Sequence, residues 1–223
     1  MFIYQENSTL QTEKTISLIE LIENGGTGGM LIISILFILL VVVIYIYFER
    51  LFAIRAASKI DKGFMPQIRT HILSGKIDLA KTLCQSHNNP VARLLEKGVS
   101  RIGRPLEDIN SALENAGRIE IYKLEKNVSI LATIAGVAPM IGFLGTVIGM
   151  ILSIFEISTA GGNIDMQLLS NGLYTAMTTT VAGLIVGIIG YTTYNHIVVK
   201  TNKVVHQMEA TSLEFFDLLN EPT

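Results

Sequence analysis

Four threonines in six residues, Thr175, Thr178, Thr179 and Thr180, stand in a stretch with no charged side chain. A second uncharged stretch carries Pro139, Gly142, Gly145, Thr146 and Gly149. On a helix Gly142, Gly145 and Gly149 share one side at i, i+3 and i+7, and Thr146 borders that surface. Thr180, Gly183 and Gly187 share a face of the other helix, and Thr175 lies one turn before Thr179. Such hydroxyls can do one of two things. They can bond back to their own helix carbonyls while the glycines serve packing. They can also line a polar cavity and bond water or an ion. For one threonine the packing reading suffices, whereas four facing a Gly/Thr/Pro stretch favour the lining. The Gly145–Gly149 spacing permits close helix approach. Pro139 removes a backbone donor and predicts a kink near Ala135.

Charged chemistry is missing from the same stretches. No Asp, Glu, Lys or Arg lies between Glu23 and Glu49, between Lys126 and Glu156, or between Asp165 and Lys200. Those gaps are 25, 29 and 34 residues long. A proton relay normally places a carboxylate or similar group at membrane depth. His196 is the one candidate here, and its place near Lys200 makes it an interfacial histidine. If the chain handles ions, the titrating group comes from elsewhere. The single cysteine, Cys84, excludes an intrachain disulfide and a multi-Cys zinc site, and it is expected to be a buried core thiol. No Walker loop, nucleophile elbow or metal-ligand pair is present, so nothing argues for an enzyme, a metal or a cofactor.

The elements that must position these residues follow from composition. Of 223 residues 49% are apolar and 16% charged, where a soluble chain carries about 25% charged residues. The net charge of −2 disfavours nucleic acid as a partner. About 20 apolar residues cross a bilayer as a helix, so the gaps predict three spans at 29–48, 128–155 and 171–198. An all-α membrane protein is expected. The first span has a long acidic flank and is unlike a cleaved signal peptide. Of 17 Lys and Arg, 14 lie in 49–126, two follow from Lys200, and one, Lys14, precedes the first span. The positive-inside rule then puts 1–28 and 156–170 outside, and 49–127 and 199–223 in the cytoplasm. Basic residues of 50–62 are expected to touch membrane lipid.

The cytoplasmic segment predicts helices over 78–83 and 91–99, parted by Asn88-Asn89-Pro90. Another starts after Pro105 and carries Ile109, Leu113, Ala116 and Glu120 toward the second span. The tail pattern Val205, Met208, Phe215 and Leu219 extends the third span as an amphipathic helix. Asn24-Gly25-Gly26-Thr27-Gly28-Gly29 predicts a flexible joint.

Ala138 through Met150 resembles the second-span signature of the MotA/TolQ/ExbB proton-channel family. Thr180-Val181-Ala182-Gly183-Leu184, with Tyr194-Asn195, resembles its last-span pattern. Glu49-Arg50-Leu51 resembles its motif after the first span, and Leu83-Cys84 with Pro90-Val91-Ala92 resembles its cytoplasmic pattern. Three spans with an outside N-terminus fit the ExbB/TolQ branch. The resemblance covers about residues 30–200. It implies a homopentamer in the bacterial inner membrane, around a pore that receives two single-span partner helices. An ExbD-like partner supplies the ion-carrying Asp, and proton flow does work on a TonB-like protein for outer-membrane import. By the same resemblance, Thr146 and Thr180 face that Asp.

Two departures bear on this. Iron-uptake relatives often carry Glu where this chain has Thr175. Thr179 stands where proton-driven members often have a small residue, and sodium-driven relatives share such a hydroxyl pair, which implies Na⁺ as the alternative to H⁺. A TolQ-like role in envelope constriction, or a non-conducting scaffold, are the competing functions.

Overall fold

The computed structural model describes residues 26–59, 61, 63–159 and 166–220. The expectations for 1–25 and 160–165 lie outside them. Among the described residues seven helices follow in order: α1 (Gly26–Ala57), α2 (Phe64–Leu73), α3 (Ile77–Ser86), α4 (Pro90–Val99), α5 (Leu106–Glu125), α6 (Val128–Thr159) and α7 (Met166–Asn220). No strand occurs among the described residues, so the fold is all-α as expected. Among the described residues three helices are long and apolar enough to cross a membrane, over Gly28–Ala57, Val128–Thr159 and Gly172–Asn220. α7 has 55 residues, hence a length of about 80 Å against a hydrocarbon core of about 30 Å. The third span and the amphipathic tail are therefore one helix. α6 runs through Pro139 as one continuous helix.

The glycine-rich joint is a correction from Gly26 onward, because that stretch is helical. Packing overrides the poor helix propensity of glycine there. A Cβ on Gly29 would lie 2.6 Å from Thr175 Cγ2, so the close approach itself requires glycine.

The chain divides into two compact units. The first holds the residues up to Leu36 and Met140–Leu184. Its interior is small: Ile32, Leu36, Ser153, Ala176 and Thr179 are buried. Most of its large apolar side chains, Phe143, Leu144, Ile151 and Met177 among them, are exposed. That inversion suits a helix group whose outside meets lipid or other apolar helices rather than water.

The second unit holds Phe37–Pro139 and Ile185–Thr223. Here the core is conventional. Asn89 caps α4, its Oδ1 accepting from Ala92 N at 2.7 Å, and Pro90 occupies the first turn where no amide donor is needed. α4 then buries Val91, Leu94, Leu95 and Val99. Gly98 lets Leu113 of α5 and Phe215 of α7 approach, each within 2.8 Å of where a Cβ would stand. α3 and α4 match the predicted helices, and α5 starts after Pro105 as its sequence indicates. α2 is an addition that the sequence pattern did not single out.

Candidate ion-pathway site

In the first unit α6 and α7 meet backbone to backbone. A Cβ on Gly142 would lie 2.8 Å from Thr179 O, 3.0 Å from Gly183 Cα and 3.2 Å from Thr180 Cα. One on Gly145 would lie 2.6 Å from Thr179 Cβ. One on Gly149 would lie 3.1 Å from Ala176 Cβ and 3.2 Å from Gly172 O. The glycine side of α6 is thus filled by α7 of the same chain.

That contact sorts the threonines. Thr179 is fully buried, and its hydroxyl donates to Ala176 O at 2.8 Å. Thr175 is buried as well, beside Gly29. Thr178 donates to Tyr174 O at 2.8 Å. Thr180 is half-buried and donates to the neighbouring helix instead, to Gly142 O at 3.2 Å. Hydroxyl hydrogen bonds usually span about 2.5–3.0 Å, so this one is long and easily exchanged. Thr146 is half-buried one turn above Gly142 and donates to Phe143 O at 2.6 Å. Every one of these oxygens can still accept a hydrogen bond.

The remaining candidates lie in the second unit. A Cβ on Gly187 would lie 2.6 Å from Pro139 Cγ, so that pair also marks a tight α6–α7 contact. Asn195 is exposed and donates to Tyr191 O at 3.0 Å. His196 is exposed, and its Nδ1 shares a 3.0 Å hydrogen bond with Tyr47 Oη of α1. Arg50 is buried, paired with Glu49, and donates to Lys123 O at 3.1 Å. Cys84 is a buried thiol, pushed up to about 12 by burial first and by the Glu96 charge second. No cluster of metal-ligating side chains occurs among the described residues.

Glu120 was one member of an apolar stripe in the sequence, and the structure makes it the centre of an ion cluster. Its side chain is 6% exposed and receives Arg93 at 2.5 Å and Lys123 at 2.7 Å. Burial alone would raise its carboxyl. The hydrogen bonds and charges of Arg93 and Lys123 outweigh that and hold it below its ordinary value of 4.5. A carboxyl held low stabilises the fold above its unfolded value, and that contribution is lost as pH falls through the folded one. Thermal stability of the detergent-solubilised chain is therefore expected to decline as pH drops below about 4.5, and Glu120→Gln to flatten that decline. An unchanged decline in Glu120→Gln would assign the acid sensitivity to other groups. The signal available in sequence was a glutamate among Ile109, Leu113 and Leu124, a place where only a paired charge is tolerated.

Comparison with known proteins gives the family of the chain. Residues 86–210, which contain Thr146 and Thr180, match the family described as the MotA/TolQ/ExbB proton channel family. An ExbB homologue of Methanothermobacter thermautotrophicus is 26% identical over 198 residues, 86% of this chain and 67% of that protein. The biopolymer transport protein ExbB of Aquifex aeolicus is 36% identical over 88 residues, 40% of this chain and 59% of that one. The Tol-Pal system protein TolQ of Haemophilus influenzae is 33% identical over 93 residues, 42% of this chain and 40% of that one. The matched stretches thus span between about two fifths and two thirds of these relatives.

Proposed function

We propose, for a chain that belongs to the MotA/TolQ/ExbB proton channel family, the role of pore-forming subunit in an ion-driven motor of the bacterial inner membrane. The observation that carries this reading is the pair of half-buried hydroxyls, Thr146 and Thr180, on the stretches 128–155 and 171–198, which lack any Asp, Glu, Lys or Arg. An oxygen-lined path without its own titrating group needs a carrier from a second chain. We assign that carrier to an Asp on an ExbD-like single-span partner, held inside a homopentamer of this chain. The work is delivered to a TonB-like protein for outer-membrane import. The N-terminus is placed in the periplasm and the C-terminus in the cytoplasm, by the distribution of Lys and Arg.

H⁺ is the proposed coupling ion. The Thr179 hydroxyl is turned to its own helix, which weighs against a Thr179–Thr180 pair presented together to Na⁺. Thr175 and Thr179 accordingly act in packing within the chain, and Thr146 and Thr180 act on the path. The scale of the driving force is adequate, since one charge crossing 100 mV supplies about 2.3 kcal/mol. The TolQ relative supports a second reading, in which the same motor serves envelope constriction.

The test is co-purification in mild detergent with each single-span, Asp-bearing candidate from the same genome, followed by intact-complex mass. Five copies of this chain with two of a partner are expected. An oligomer that captures no such partner would leave the path without a carrier and favour the scaffold.

A further inference from the structure

We draw no further inference here: the strongest candidate, the apolar groove between α5 and α7 that Ile121, Val205, Met208 and Leu213 line in the second unit, carries nothing, because nothing in the structure shows what covers it.

Discussion

Thr180→Val leaves the chain folded and assembled, and lowers ion-driven transport by at least about ten-fold. Valine keeps the shape of threonine and removes its oxygen. In structural terms the loss is small, because the bond given up, from Thr180 Oγ1 to Gly142 O, is 3.2 Å long. A typical hydrogen bond contributes about 0.5–1.5 kcal/mol net, and a long one sits at the low end. The functional loss is large, because this oxygen reaches past its own helix while remaining half-exposed. Thr146→Val is expected to behave alike, since its hydroxyl is half-buried on the facing helix. Thr178→Val provides the contrast. Its oxygen serves Tyr174 O within α7, so transport should stay near the wild-type rate. The measurement is ion-driven uptake in cells or proteoliposomes holding this chain with its captured partner, beside intact-complex mass for each variant. A Thr180→Val complex that is intact and fully active would end the motor reading in favour of the scaffold.

Much of this is legible in the sequence. The three gaps in charge mark α1, α6 and α7, because a bilayer admits helices of about 20 apolar residues and few charges. Asn89 and Pro90 mark the start of α4, because a side-chain acceptor followed by a residue without an amide donor satisfies a helix end. The one-sided glycines of α6 mark a contact face. Sequence periodicity names a face, however, and not the element that covers it. Thr179 and Thr180 are neighbours in the chain, yet one fills the groove at Gly145 and the other reaches Gly142 O. Which does which depends on the rotation of α7 about its axis, a tertiary quantity. The helical start at Gly26 escaped for the same reason, because the partner that makes glycine necessary, Thr175, lies far along the chain. Glu120 stands in the sequence as a polar residue within an apolar stripe, and only the structure shows the two cations that meet its carboxylate.

Gly142→Ala is the second large effect, and it falls on the contact beneath Thr180. The added Cβ meets only backbone: Thr179 O at 2.8 Å, Gly183 Cα at 3.0 Å and Thr180 Cα at 3.2 Å. A side chain can rotate away from such a clash, and a backbone cannot, so α6 and α7 must separate. Overpacking of this kind costs about 1–3 kcal/mol. Gly136→Ala, on the same helix, is the control. Nothing lies within 4 Å of the position its Cβ takes, so the change should stabilise α6 by about 0.5–1 kcal/mol through helix propensity. The two variants make the same chemical change with opposite expected signs, readable as shifts in denaturant midpoint for the detergent-solubilised chain. Gly145→Ala falls between them, because its neighbour is the Thr179 side chain, and Thr179→Gly should rescue it. No such rescue is open to Gly142→Ala. Its separation of the helices also lengthens the Thr180–Gly142 contact, so transport should fall with stability. Were Gly142→Ala as stable as Gly136→Ala, the close α6–α7 approach would be wrong. The hydrogen bond from Thr180 to Gly142 O would fall with it.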